Sequence, residues 1–499
     1  LPVGGEGGEG GEGRLGWITE QSTMQPPATP ATTPATPESP ACQLHAAAAV
    51  ANLAQGSSEN QKALVHARAI PQLASLLRSS ESAETHRHAV HALLHFASHE
   101  ETRTTLAVLR QLVGLLDVPR PATQTAALST LATLAARSAA SRHTIIRCKA
   151  IAPLLQMLGQ PRVVGQTASA LVPTTAPRDD AARYGAARSD AARYGATPAE
   201  WAVALLSDLA SSSEAVEEMV GAQAVLPLSA LLASPSSLVQ TSAASTLWRI
   251  AAHGDAERAA LVSAGAVLQL VGLLTAGASA EATRHATATL WQLSSSAEAM
   301  EAMVRAGGLR ALVGLLEGAD VAEAQELAAA LLALLAQDTT PVGWLQQQTK
   351  GDVYQAAMLE LGAIPRLVVA LGSASQVAKK HAVATLRTFF EGRSGSVEAE
   401  CTASFLAAEG GIGAIKALLT DAAAPPEALW SALAILKALA TQPRGRTALR
   451  AAPGGAQWFY KLDFLAADEG EGEAAASSWL RAARADLQAA CNEVVELLC

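Results

Sequence analysis

The chain has 499 residues, half of them hydrophobic but only 4% aromatic, and a formal charge of −9. That length suits about three globular domains or one long solenoid. Apolar mass carried by Ala, Leu and Val favours helices over a β-sandwich, and the mild acidity excludes a general nucleic-acid binder, which needs a basic footprint. Cys42, Cys148, Cys401, Cys491 and Cys499 are odd in number and scattered, with no C-x-x-C pair. They predict a reducing compartment, without a disulfide framework or a zinc-finger set. The longest apolar run, around Leu327–Ala336, is about half a membrane span and reads as a buried helix. No charged-then-apolar leader is seen at the start. A cytoplasmic or nuclear protein without a membrane span is therefore expected.

Residues 1–40 hold a Gly-Gly-Glu tract (Gly4–Gly13) and a Pro/Thr-rich stretch from Pro26. Such composition buries too little apolar area to offset ordering entropy, so a disordered tail is predicted. Its Thr29-Pro30, Thr33-Pro34, Thr36-Pro37 and Ser39-Pro40 pairs suit proline-directed phosphorylation; the plainer reading is a solvated linker.

From residue 41 one pattern recurs: a small residue, an aliphatic one, then an apolar run closing on a Leu-Leu-like pair. The pairs end at Leu77, Leu116, Leu158, Leu232, Leu274, Leu316, Leu371 and Leu419, in steps of 39, 42, 74, 42, 42, 55 and 48 residues. A fixed period near 42 marks a repeat architecture. Residues 294–337 show the unit. Ser295-x-x-Glu298 predicts a capping box and Ala297–Arg305 a short helix. Gly307 or Gly308 supplies a left-handed stop, and Leu309–Leu316 forms a second helix with one apolar face. Val321–Ala336 reads as a longer third helix, apolar nearly all round. Residues 211–253 repeat the scheme with Gly221 at the turn. No unit buries its own faces, so stacking is required.

Residues 173–199 interrupt the period with a tandem decamer, Asp180–Gly185 against Asp190–Gly195. This reads as a duplication in an exposed loop, or as a loop presenting two Tyr/Arg pairs. After an acidic hinge at Glu469–Glu473, Trp479, Leu480, Leu487, Cys491, Val494 and Leu498 lie at helical spacing. They suit a terminal capping helix, or one that docks on a partner. The expected organisation is a tail over 1–40, a solenoid over 41–466, and a hinge with cap over 467–499.

Gly-Ala-Ile-Pro-Arg-Leu-Val at Gly362–Val368 and the Ala-rich third helix at His88–Ala97 resemble the armadillo-repeat family. The resemblance covers roughly residues 41–465, in eight to nine units. HEAT repeats lack the Gly-Ala-Ile-Pro turn. The third helices look most like those of plant U-box ligases and the yeast vacuolar armadillo scaffold. The resemblance implies an all-α, right-handed α-solenoid of three-helix repeats with third helices lining a concave groove. It implies a monomeric, non-catalytic protein–protein interaction scaffold with no cofactor, binding an extended or helical segment of another protein. The alternative is the substrate-recruiting region of a ubiquitin ligase whose catalytic module is absent from this chain.

In the importin-α type, an Asn late in the third helix clamps an extended peptide, with a Trp four residues earlier. Aligned third helices place Asn52, His95, Thr133, Asp208, Arg249, Gln292, Leu334, Thr388 and Ala438 on that ladder. One Asn remains, the Trp positions hold Ala48, His91, Ser129, Ala204, Ser245 and Ala288, and Trp248 and Trp291 fall one residue off, on a different face. Nuclear-signal recognition does not carry over. The candidate groove contacts are Asn52, His88, His91, His95, Thr133, Asp208, Arg249, Gln292 and Thr388.

His88, His91, His95 and His99 share a helical arc of roughly 80°. His91/His95 and His95/His99 have the i, i+4 spacing that can chelate zinc. Against this, His45, His88, His285 and His381 share one repeat position, which reads as packing, and no Cys or carboxylate beyond nearby Glu84 completes a ligand set. A polar peptide-facing patch or a pH-sensitive surface are the other readings. Lys379, Lys380, His381 and Arg387, with Arg249, form a candidate basic patch for an acidic peptide or phosphate. No catalytic motif is present: Gly4–Gly13 lacks the Lys-Ser/Thr of a P-loop, and Gly410-Gly411-x-Gly413 is a repeat turn.

Overall fold

The computed structural model describes residues 39–55, 57–97, 102–159, 197–317, 322–341, 349–391, 396–408, 410–421, 423–453 and 477–498. The tail through residue 38, most of the insertion, the acidic hinge and His99 lie outside them. Among the described residues the chain is helical throughout, with one isolated bridge between Pro341 and Thr349.

The long helix α1 (Pro40–Ala54) comes first, followed by a triplet of α2 (Ser58–His66), α3 (Ala69–Ser79) and α4 (Ala83–Ala97). The next unit has two pieces, α5 (Thr102–Gly114) and α6 (Pro121–Arg137). Then come α7 (Ala139–Arg147), α8 (Ile151–Gly159) and α9 (Pro198–Leu209), followed by α10 (Ser213–Gly221), α11 (Val225–Leu231) and α12 (Ser237–His253). Three more triplets are α13 (Asp255–Ser263), α14 (Ala266–Thr275) and α15 (Ala280–Leu293); α16 (Ala297–Arg305), α17 (Gly308–Leu315) and α18 (Ala322–Ala336); and α19 (Lys350–Glu360), α20 (Ala363–Leu371) and α21 (Gln376–Phe390). The last is α22 (Ser396–Ala407), α23 (Gly411–Leu419) and α24 (Pro426–Thr441), before α25 (Pro443–Ala451) and α26 (Ser477–Leu498).

Each third helix packs on the next in chain order: α1, α4, α6, α9, α12, α15, α18, α21 and α24, with α26 against α24. One continuous core cluster runs from Ala51 to Leu498. In α18, nine residues between Ala324 and Ala336 are buried, six of them alanines. A helix flanked by two neighbours and roofed by its own short pair has little free surface, so an apolar stripe on one side does not suffice. Alanine lets the axes approach. Mid-helix threonines turn their hydroxyls onto the preceding turn, as Thr246 does to Ser242 O at 2.7 Å and Thr385 to His381 O at 2.8 Å. No buried hydroxyl of these two is left without an acceptor.

The short pair crosses steeply, at 75° between α13 and α14 and 87° between α19 and α20. A single left-handed residue makes the corner. Gly265, Gly307, Gly362 and Gly410 hold it in the later repeats, but Arg68, Lys149 and Gln223 hold it in earlier ones, with φ between 56° and 60°. Gly221 therefore does not form the stop: it ends α10, and Gln223 turns the chain. In the second unit the corner is missing and α5 runs straight through, so not every unit has three pieces. The capping box expected at Ser295 does not form: Ser296 caps α16 instead, by accepting from the Ala299 amide at 3.3 Å. Ser295 instead turns back to Gln292 O. The insertion is also shorter than expected at its end, because Thr197 and Glu200 form a capping box that starts α9 at Pro198.

Long polar side chains seal the joints between repeats. Gln61 donates to Ala54 O at 2.6 Å, Arg142 to Ala135 O at 2.6 Å, Arg258 to Ala251 O at 3.1 Å and Gln355 to Ala336 O at 2.6 Å. In each case a first helix caps the open carbonyls at the end of the preceding third helix.

The corner residues give a stability test. A Cβ on Gly307 would meet nothing within 4 Å, so Gly307→Ala carries only the left-handed backbone cost, about 1–2 kcal/mol. Gln223→Gly relieves the same strain and is expected to stabilise by up to about 1 kcal/mol after the entropy of glycine is counted. Urea denaturation should shift in opposite directions for the two variants; shifts of the same sign would refute this account.

Candidate functional site

An open trough of about 450 Å3 crosses α15, α18, α21 and α24. Trp291 comes from the first of these helices and Trp430 from the last. Ala330, Ala333 and Ala384 line the stretch between them, with Leu334, Gln337, Lys380, His381, Arg387, Glu427 and Ser431 around it. Two large apolar side chains stay in water there: Leu334 is 41% exposed and Trp430 36%. The alanines make the space, since any larger residue at those positions would fill it.

The lining corrects the ladder in two of its repeats. Trp291 and Arg387 face the trough, one residue before the ladder positions Gln292 and Thr388. Thr388 is buried, with its hydroxyl donating to Thr385 O at 2.7 Å. Trp291 is therefore not on a different face. The ladder residue Leu334 lines the trough as well, so which of the two neighbouring positions reaches this surface depends on how each helix is rotated, which a sequence alignment does not fix.

Upstream, the same positions build a second cluster. Trp248 stands one residue before the ladder, Arg249 lies over its ring at 5.9 Å, and His285 sits beside it at 5.4 Å between ring centroids. At that distance the guanidinium lies within cation–π reach of the indole. Arg249 makes no ion pair with a described residue, and its buried Nε has no hydrogen-bond acceptor. Arg284 approaches His285 Nε2 at 3.2 Å and pairs with Glu323 at 3.4 Å. Burial, then the Arg284 charge, pulls His285 down to about 4, so its ring is neutral near pH 7.

The other predicted residues are placed as follows. Asn52 and His91 are exposed; His88, His95, Thr133, Asp208 and Gln292 are half-buried. Thr133 donates its hydroxyl to Ser129 O at 2.8 Å. Burial and Arg137 lower His95 below the usual range. Among the described residues no group of three His, Cys, Asp or Glu side chains is arranged to hold a metal, and His99 lies outside them. His285 and His381 share the repeat position of His45 and His88; burial lowers both, as the packing reading expects, whereas His88 is half-buried and His45 is exposed.

The basic patch is largely neutralised. Lys379 binds Asp421 at 3.1 Å, and hydrogen bonds from Gln376, the Ala423 amide and Lys379 hold Asp421 at about 2. Lys380 lies 3.8 Å from Glu427. Arg387 Nε lies 3.4 Å from Glu391, outside hydrogen-bond geometry, and is otherwise without an acceptor. The sequence pointed to the cations but not to the carboxylates facing them, Asp421 and Glu427, which arrive from the next repeat.

Stacked helices with a steep short pair and a long third helix define an all-α solenoid of the armadillo type. An engineered protein solved by a structural genomics consortium is 25% identical, over 92% of this chain and 96% of its own, with a TM-score of 0.55. A computationally designed armadillo repeat protein for modular peptide recognition is 25% identical over 56% of this chain and 99% of its own, TM-score 0.42. A designed armadillo repeat protein in complex with the peptide (KR)4 is 24% identical over 56% and 99%, TM-score 0.41. No protein-family model matches the chain, and no curated protein matches it by sequence.

His285 supplies a pH test. Its folded pKa of about 4 lies below the ordinary 6.5, so protons favour the unfolded chain. The stability it contributes is complete above about pH 6.5 and is lost as pH falls toward about 4. The melting midpoint of the wild type should fall more between about pH 7 and about pH 4.5 than that of His285→Gln. Equal falls would remove His285 as the cause.

Proposed function

We propose that the chain is a non-catalytic scaffold that holds a segment of another protein in the trough across α15, α18, α21 and α24. One observation carries this reading: indoles from helices three repeats apart line a single open cavity whose lining between them includes alanine, while Leu334 and Trp430 stay exposed. Exposed aromatic and aliphatic side chains around a concave surface mark interaction sites, since their burial by a partner is favourable. Tryptophan and arginine, both present, are the residue types that dominate protein interfaces. The stack of third helices is preformed, so the ordering cost falls on the partner segment alone. Lys380, Glu427 and Arg387 at the edge favour partners of matching charge.

Affinity capture with the full chain, read by mass spectrometry, tests the reading. A genuine partner is retained by the wild type and by Leu268→Ser, a change at an exposed site on α14 away from the trough. It should bind at least about tenfold more weakly to Trp291→Ala and Trp430→Ala, the usual loss for a central aromatic. Retained proteins indifferent to both tryptophan variants would defeat the proposal.

A further inference from the structure

Resting on that reading, a comparison of two repeats shows what the trough lacks. In the joint between α12 and α15, Trp248 stands one residue before the ladder position, and its ring lies 5.4 Å from that of His285, tilted by 39°. His285 is buried there. The joint between α18 and α21 packs in the same way and carries a histidine, His381, at the same repeat position. The residue equivalent to Trp248 is Ala333, and it lines the trough together with His381. With a methyl group in place of an indole, His381 is only half-buried. The later joint thus leaves open the space that the earlier one fills from its own chain.

The walls of that space suit a ring. Leu334 and Trp430 are exposed beside it, and Trp291 stands on the helix before. Charge on the walls is already matched, Lys380 by Glu427 at 3.8 Å and Arg387 by Glu391 at 3.4 Å, so the space between them calls for no charge of its own. Burial, then Lys380, lowers His381 below the ordinary 6.5, with Glu326 opposing. Its ring is neutral near pH 7 and can be covered without stranding a charge. Ala51 and His88 repeat the two positions between α1 and α4, but no tryptophan lies on α1, α4 or α6, so that joint lacks indole walls. We infer that the trough takes an uncharged aromatic side chain of the partner, a tryptophan in size, set against Ala333 and His381 as Trp248 is set against His285. Such a ring brings a large apolar area and pairs with the imidazole, and an aromatic seated in a central pocket is the usual anchor of an interface.

The probe is N-acetyltryptophanamide, with N-acetylleucinamide and N-acetyllysinamide as controls, titrated against the full chain carrying isotope-labelled histidine. The His381 ring signal, identified by its loss in His381→Gln, should shift saturably with the tryptophan probe, at a Kd at least about tenfold below that of either control. Ala333→Trp supplies the ring from within and should abolish the shift, its fold checked by circular dichroism and melting midpoint. Should that variant not fold, the order of the probes on the wild type decides. A control that binds as tightly as the tryptophan probe, no His381 shift into the tens of millimolar, or a shift that persists in folded Ala333→Trp overturns the inference. Captured partners separate it from the reading it rests on. A partner weakened by Trp291→Ala and Trp430→Ala but not by folded Ala333→Trp overturns the aromatic anchor and leaves the trough standing as the binding site. Partners indifferent to all of these variants remove both.

Discussion

Burial of the third helices against one another governs everything else in this chain. Each is too apolar to be stable at a surface and too large for its own short pair to cover, so it needs a neighbour on both sides. The series α1, α4, α6, α9, α12, α15, α18, α21, α24 answers that need in strict chain order. Its last member is closed by α26, whose Cys491, Val494 and Leu498 are buried, with Lys437 paired to Glu493 and Arg450 bonded to Leu498 O. The single core cluster is the direct result.

Stacking of this kind leaves polar backbone at every joint, and the chain answers it in a recurring way. A glutamine or arginine on a first helix reaches back to the last carbonyls of the third helix before it, at Gln61, Arg142, Arg258 and Gln355. Similar bonds tie the start of a third helix to the end of the second, from Gln124 to Leu116 O and Gln325 to Leu316 O. These bonds fix the angle between successive repeats. The angle in turn decides which side chains of neighbouring third helices share the trough.

Because the trough is shared by four helices, no one repeat owns it. Trp291 and Trp430 are far apart in sequence and belong to units that differ in detail, yet the stack sets them around the same alanine-lined space. The same geometry places Asp421 and Glu427 against the lysines of the preceding repeat, so that charge in the trough is set by pairing across repeats rather than by composition. Arg249 stands out by contrast, with Trp248 beside it and no ion pair to a described residue.

Periodicity was legible in the sequence because it reports which residues must be buried: Leu-Leu pairs near every 42 residues, Ala-rich third helices and Gly-Ala-Ile-Pro turns lead to a stacked all-α chain. The histidine position was legible only in part: His285 is buried and His381 half-buried in the stack, but His45 at the same position is exposed. The corners at Arg68, Lys149 and Gln223 were not, because any residue adopts the left-handed conformation when the packing on both sides demands it. Nor was the outward-facing register of Trp291 and Arg387, or the pairing of Lys379 with Asp421. The order of the repeats is local information, carried by each helix's own apolar pattern. The trough depends on how far each helix rotates against the next, which only the packed stack decides.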